Sequence, residues 1–357
     1  MRLEVPWGSE GVRYTDRCPP CKDPRKPRRT AILAAESISP LTNRSPTLEG
    51  VRAATLALKG IGVLTPLIST EIRGEPVHIK AECLQRTGSF KVRGAWWCVS
   101  SLPEDQREAG VVAFSSGNHA QGVAWVAKRM GVPAAIVMPA DAPAAKVAGT
   151  RALGAEVIFY DRMREDRIAI ATELAAKRGA MLVPPFDHPR IVEGQGTVGL
   201  EIVEQYREAT GEDVRTIGVN CGGGGLTSGI SIAVPDARIF AVEPEGWDDV
   251  GESLRRGEIV AVGPNPPPTA CDALQTLSCS PLTFSVLSAR GVEPVTVTEA
   301  EVGIAMRFAF ERLKIVAEPG GAVSLAAALA GKIPLDRAVL VVSGGNVDPA
   351  KFQAMTA

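Results

Sequence analysis

From about Pro46 onward the chain alternates short apolar runs with helical patterns, and that alternation restricts the possible fold more than any other feature. VVAF, AAIVM and AEVIFY are each followed by a stretch whose apolar residues recur near the 3.6-residue period. These predict a helix after Asn118, one through Lys146 to Leu153, and one from Arg164 to Lys177. A second series follows: VRTIGVN with a helix after Gly225, ARIFAVEP, VEPVTV with a long helix from Thr298 to Lys314, and RAVLVV. Strands and helices in alternation predict an α/β fold of mainly parallel sheets flanked by helices. Two series predict two open, twisted sheets, with a ligand site between them. PTLEGVRAATLAL opens the folded part as a helix capped by Thr47.

A chain of 357 residues has room for two domains and a substantial core. Its formal net charge is −1, which points away from nucleic acid, and no apolar run approaches the ~20 residues of a membrane span. A soluble enzyme acting on a small molecule is expected. Seven scattered cysteines, at 18, 21, 83, 98, 221, 271 and 279, with no apolar leader before them, suggest a reducing, cytoplasmic setting. Residues 1–45 stand apart. Residues 1–30 hold eight Lys or Arg against four Asp or Glu, without apolar periodicity, and are expected to be a disordered basic extension. Cys18-Pro-Pro-Cys21 within it resembles a redox or zinc motif, but it lacks a second ligand pair and a strand-helix context, so a flexible arm fits it better.

Within the regular part, GSFKVRGA places Lys91 behind a small polar residue and Phe90, where a strand gives way to a helical pattern. A lysine so placed can hold an aldehyde cofactor as a Schiff base, because burial beside an anchored phosphate can deprotonate its amine. Phe90 can lie against a cofactor ring or pack into the core. The four glycines Gly222, Gly223, Gly224 and Gly225 stand between a strand and a helix, so their backbone amides can converge on an anion. They lack the third glycine of a dinucleotide fingerprint and the lysine of a P-loop. SSGNHAQ also follows a strand and opens a helix, which offers Ser115, Ser116 and backbone amides to a carboxylate, and Asn118 to a phenolic oxygen. His119, one of three histidines, fits a substrate contact or a structural role. Ser343, after AVLVV, can face a pyridine nitrogen; a neutral hydroxyl there leaves the ring a weaker electron sink and favours β-elimination.

Taken together, AECLQRTGSFKVRGA, FSSGNHAQGVA, VPPFDHPRIVEGQGT, GVNCGGGGLTSGI, AVEPEG and VVSGGNVD resemble the serine/threonine dehydratase and serine racemase family of fold type II enzymes dependent on pyridoxal 5'-phosphate. The resemblance spans Pro46 to the end. It implies a large cofactor-binding domain formed by residues 46–109 and 189–357, a small substrate-loop domain formed by 110–188, and the cofactor between them. It further implies that Lys91 carries the cofactor, Phe90 packs on its ring, and Asn118 meets the ring hydroxyl. Gly222 to Gly225 with Leu226 would bind the phosphate, Ser343 would meet the ring nitrogen, and Ser116 would be the second acid/base on the face opposite Lys91. Arg167 is a candidate contact for a substrate carboxylate or side chain, and also fits a solvated helix face. A homodimer is the implied assembly.

In metal-activated members of this family the segment corresponding to EPEGWDD binds magnesium or calcium. Here the ligands would be Glu243, the Trp247 carbonyl and Asp249, hard oxygens suited to such a cation; an acidic surface loop is the other reading. Pro184, Pro185 and Phe186 stand where racemases tend to have histidine and asparagine, which favours a dehydratase. The last motif lies close to Ala357, so a regulatory carboxy-terminal domain, and feedback inhibition by isoleucine, are not expected. The implied activity converts a β-hydroxy amino acid, L-threonine or L-serine first, to a 2-oxo acid and ammonia. Hydroxyaspartate dehydration, serine racemisation and a non-catalytic cofactor-binding relative are the alternatives.

Overall fold

The computed structural model describes residues 44–357, apart from the Ala145 side chain; the Cys18 and Cys21 pair and the basic extension before Arg44 lie outside the described residues. The strands are β1 (Leu67–Ile72), β2 (Glu75–Ala81), β3 (Val111–Phe114), β4 (Ala134–Pro139), β5 (Glu156–Tyr160), β6 (Met181–Leu182), β7 (Thr216–Asn220), β8 (Arg238–Pro244), β9 (Glu293–Val297) and β10 (Ala338–Val342). The helices are α1 (Leu48–Leu58), α2 (Lys91–Ser100), α3 (Glu104–Arg107), α4 (Asn118–Met130), α5 (Ala144–Ala152), α6 (Arg167–Arg178), α7 (Pro189–Thr210), α8 (Gly225–Ala233), α9 (Asp249–Arg256), α10 (Pro281–Ala289), α11 (Glu299–Phe308), α12 (Val323–Leu329) and α13 (Pro349–Thr356). Among them no helix is long and apolar enough to cross a membrane.

The strands form two sheets, as the two series predict. One has six strands in the order β1-β2-β10-β7-β8-β9, and the other four in the order β5-β4-β3-β6. Every pairing is parallel except β1 with β2. That hairpin escapes the alternation rule because its turn, Arg73-Gly74, takes positive φ at both residues without the usual Asn-Gly signature. Strands such as β7 and β10 are buried throughout, as parallel strands covered on both faces must be.

Two helix boundaries move from their expected places for local reasons. α6 starts at Arg167 rather than Arg164, because the Asp166 side chain accepts from the Ile168 and Ala169 amides and caps the helix there. The long helix expected from Thr298 is α11 followed by a π-turn over Ala309–Leu313, which ends at Lys314 with φ of 58°. Apolar side chains from both faces of the large sheet make two cores, and the small sheet makes two more against α2 and α4 on one side and α6 on the other. Each fully buried Val, Leu or Ile contributes roughly 1.5–3 kcal/mol. A Cβ at Gly122 of α4 would stand 3.3 Å from the Lys91 carbonyl carbon, so glycine at this position brings the small-sheet helix against the start of α2.

Candidate active site

Sheet order brings distant sequence segments to one rim. β2, β10 and β7 are neighbours, with Ala81 opposite Val342 and Gly218 opposite Leu340, so the segments leaving their carboxyl ends emerge side by side. After β2 come two short 3-10 turns and then Lys91; after β10 comes Ser343; after β7 comes the glycine loop. Such a rim, at the carboxyl ends of parallel strands, is where open α/β folds bind ligands. The Phe90 amide donates to the Ser343 carbonyl at 3.2 Å, and Ser89 bridges Gly344. Thr87 and Gly88, both at positive φ, turn the chain into this contact.

Lys91 is the first residue of α2. Its Nζ donates to the Pro185 carbonyl at 2.9 Å and stands 5.1 Å from the centre of the Phe90 ring. Burial pushes the amine down to about 8, against an opposing pull from Glu318. Phe90 itself is partly buried and packs on the large-sheet core. The next residue after Pro185, Phe186, reaches the glycine loop: a Cβ at Gly223 would collide with its ring, and one at Gly225 would lie 2.8 Å from Gln195 Oε1. Gly224 has φ of 84° and precedes α8, so the loop presents backbone at a helix amino terminus. Leu226, in the first turn of α8, is buried. Gln195 is buried and both of its amide atoms lack a partner among the described residues.

The SSGNH segment lies after β3 and opens α4. Ser115 Oγ accepts from the Gly117 amide at 3.2 Å, and Ser116 is partly exposed. Asn118 spends its side chain across the two sheets: Nδ2 donates to Glu318 Oε1 at 2.6 Å, and Oδ1 accepts from Asn346 Nδ2 at 2.8 Å. Ser343 Oγ accepts from Asn220 Nδ2 at 2.8 Å. His119 is buried with Nε2 donating to the Val183 carbonyl at 2.8 Å, and burial, with Lys91 adding to it, pushes it down to about 3. It is therefore neutral at physiological pH. Arg167, exposed at the start of α6, holds its guanidinium 5.8 Å from the Phe114 ring centre at the end of β3.

Glu243, Trp247 and Asp249 stand apart from Lys91, at the end of β8 and the start of α9. The Glu243 carboxylate accepts from the Val250 and Gly251 amides at 3.1 and 2.8 Å, and burial followed by the nearby Asp249 holds its pKa well above the usual range. Asp249 is pushed up to about 7, chiefly by burial and against the opposing pull of the Cys279 backbone, and among the described residues neither of its buried carboxylate oxygens meets a donor at full hydrogen-bond geometry. Trp247 Nε1 donates to the Pro267 carbonyl at 2.8 Å, which fastens this segment to the proline-rich stretch.

Sequence reasoning missed Glu318, Asn346 and Gln195. Glu318 had a visible signal, a single carboxylate in the otherwise apolar run IVAEPGGAV. Beneath α2 lies a buried ionic cluster, also unread in the sequence. Arg93 pairs with Glu82 at 2.7 Å and with Glu201 at 2.6 Å, and Lys80 pairs with Glu201 at 2.6 Å.

The chain is similar to known enzymes along most of its length. The chain is 44% identical over 308 residues to an L-threo-3-hydroxyaspartate ammonia-lyase of Pseudomonas sp., covering 84% of this chain and 94% of that one. It is 39% identical over 317 residues to a serine racemase of Schizosaccharomyces pombe, covering 86% and 96%. Its structure superposes on that of a threonine deaminase from T.th. with a TM-score of 0.78 and 40% identity, over 85% of this chain and 99% of that one. The family model described as pyridoxal-phosphate dependent enzyme matches residues 60–344, which run through the lysine, serine and glycine segments to the loop after β10, and the chain belongs to that family.

Proposed function

We propose that this enzyme is an ammonia-lyase that dehydrates a β-hydroxy amino acid, with L-threonine and L-serine as the first substrates, to give a 2-oxo acid and ammonia. The observation that carries the reading is the Lys91 amine, lowered to about 8 by burial at the rim it shares with a glycine loop and Ser343. The residues present fit pyridoxal phosphate. Gly223 and Gly225 leave backbone where any Cβ would clash, Gln195 keeps an unpartnered amide beside them, and α8 presents its amino terminus. Lys91 would carry the group, Phe90 would pack on its ring, Asn118 and Ser343 would meet the ring oxygen and nitrogen, and Gly222 to Gly225 with Leu226 would hold the phosphate. When bound, the cofactor supplies an electrophilic carbon and an electron sink for the α-carbon.

The chain's own residues then divide the work. Ser115, Ser116 and the first amides of α4 bind the substrate carboxylate, with His119 of the same helix turn buried and neutral. The Lys91 amine takes the α-proton, the β-carbon–oxygen bond breaks, and the hydroxyl leaves as water with one proton. Hydrolysis of the released enamine gives the 2-oxo acid and ammonia. Ser116 serves the opposite face, where it would matter to D-amino acids or racemisation. Arg167 favours a second reading, hydroxyaspartate as substrate: its exposed guanidinium beside Phe114 forms no ion pair among the described residues and could meet a second carboxylate.

The finer assignments belong to the same proposal. The cofactor lies between a large domain of 46–109 and 189–357 and a small domain of 110–188. Glu243, the Trp247 carbonyl and Asp249 would hold magnesium or calcium, a reading supported by two buried carboxylates of raised pKa, one of them without a full hydrogen bond among the described residues. The five described cysteines are free and buried, in keeping with a reducing, cytoplasmic setting, and a homodimer is the proposed assembly. Borohydride reduction followed by peptide mapping should label Lys91, and Lys91→Ala should lose the label and about 10³-fold in ammonia release. Label on another lysine overturns the assignment. Ammonia release across threonine, serine, both hydroxyaspartate diastereomers and phenylserine then selects the substrate.

A further inference from the structure

We infer that Glu318 is a positioning residue for the Lys91 site: its carboxyl group fixes the orientation of the Asn118 amide, and its charge acts on the Lys91 nitrogen. The inference rests on the reading of Lys91 and Asn118 as cofactor ligands. The two ends of an asparagine amide differ little in shape but are opposite in hydrogen bonding. Glu318 Oε1 accepts from Asn118 Nδ2 at 2.6 Å, while Asn346 Nδ2 donates to Asn118 Oδ1 at 2.8 Å and to the Thr87 carbonyl at 2.7 Å. An ionised carboxylate can only accept and an Asn346 N–H can only donate, so one flip of Asn118 satisfies both. That flip leaves the second N–H of Asn118 free for a ring oxygen.

Glu318 is itself held in place. Its amide donates to the Gly344 carbonyl at 3.0 Å, and a Cβ at Gly344 would collide with Glu318 Oε1. The carboxyl group thus rests on the loop that carries Ser343, and it ties that loop to α4 of the small sheet. It is 4% exposed and makes no salt bridge within hydrogen-bonding range among the described residues. Burial pushes it up to about 7, the Asn118 bond pulls it down, Asp272 raises it further, and Lys146 and Lys351 lower it. Lys91 from α2 and Cys83 after β2 also feel its charge. Around neutral pH the carboxyl therefore exchanges a proton. Ionised, it favours a cationic nitrogen at Lys91; neutral, it does not, so its charge state bears on the protonation of that nitrogen.

The test compares wild-type, Glu318→Gln and Glu318→Ala holoenzymes in two measurements: the pH titration of the near-visible absorption band, and the dissociation constant for pyridoxal phosphate. Glutamine keeps an acceptor for Asn118 and removes the charge. The expected result is that Glu318→Gln binds cofactor within about threefold of wild type, while its band titrates about one unit lower in pH. Glu318→Ala, which leaves Asn118 without its acceptor, should bind about tenfold more weakly or worse. A Glu318→Gln titration that superimposes on the wild type overturns the inference, and this reading holds even if the alanine variant does not fold. A wild-type protein with no near-visible band overturns the cofactor reading on which the inference stands, which separates the two failures.

Discussion

Two buried acidic regions lie within one small structure and respond to burial in opposite ways. Under α2, burial would raise the Glu82 carboxyl, but Arg93 alongside, then Lys80 and Thr65, outweigh it and hold the group below its ordinary value. At the site rim Glu318 is equally enclosed, has an amide rather than a guanidinium as its partner, and rises to about 7. Asp249 also rises, with no cation in contact among the described residues. The difference is the presence of a fixed cation within contact, since desolvation is much the same. A fully paired cluster can serve as foundation: it fastens β2, α2 and α7 together beneath Lys91. An unpaired buried acid is costly unless something else uses it.

The contrast can be broken most severely at Arg93. Arg93→Met would leave Glu82 and Glu201 facing each other without their shared cation, and should lower unfolding stability by about 3–5 kcal/mol. Urea unfolding of the apoprotein measures it. A loss below about 1 kcal/mol would show that the cluster is no foundation. Next in size is the cation site. Magnesium or calcium at about 100 times its dissociation constant should add about 2.7 kcal/mol to the wild type and nothing to Asp249→Ala. Melting curves with and without EDTA decide this, and an unresponsive wild type returns Glu243 and Asp249 to the status of uncompensated acids.

The smallest expected effect concerns pH. The folded-state pKa of Glu318, about 7, lies above its ordinary value of 4.5. Its favourable contribution is therefore fully present below 4.5 and is lost as pH rises through 7. Glu318→Gln should stabilise the apoprotein above neutral pH by on the order of 2 kcal/mol, after the unpaired amide hydrogen of glutamine takes back part of the gain. The gain should vanish toward acid. Glu82 behaves with the reverse sign: its contribution is present above 4.5 and lost as pH falls below it. Melting temperature against pH for Glu318→Gln and wild type sharpens the comparison, and parallel curves would mean that Glu318 carries no unusual proton.

Lys91, the glycine loop and the SSGNH segment stood out as candidates in the sequence because each is a short contiguous motif, and the sheet order brings the first two to one rim. Glycines at a strand end, before a helix, announce an anion site wherever the chain later goes. Glu318 and Asn346 carry no such local pattern. They meet Asn118 from 200 and 228 positions away. Gln195 sits mid-helix in α7, and the helical period says only that it lies on a face, not that Gly225 is its neighbour. The β1–β2 hairpin escaped for a similar reason, since an Arg-Gly turn is a weak signal that pairing partners convert into a strong structure.

By itself, the sequence determined the alternation of strands and helices and the two mainly parallel sheets, because hydrophobic periodicity and glycine placement act over a few residues and need no knowledge of distant partners; the family showed separately, in the resemblance of its motifs. Only the tertiary structure decided which charges are paired. Sheet order set β10 between β2 and β7 and brought the Ser343 loop against Phe90. The same packing enclosed Glu82 with Arg93 and enclosed Glu318 with no cation in contact among the described residues. A carboxylate's proton affinity depends on the water it loses and the charges it meets, and both are fixed by the packing of segments far apart in the chain.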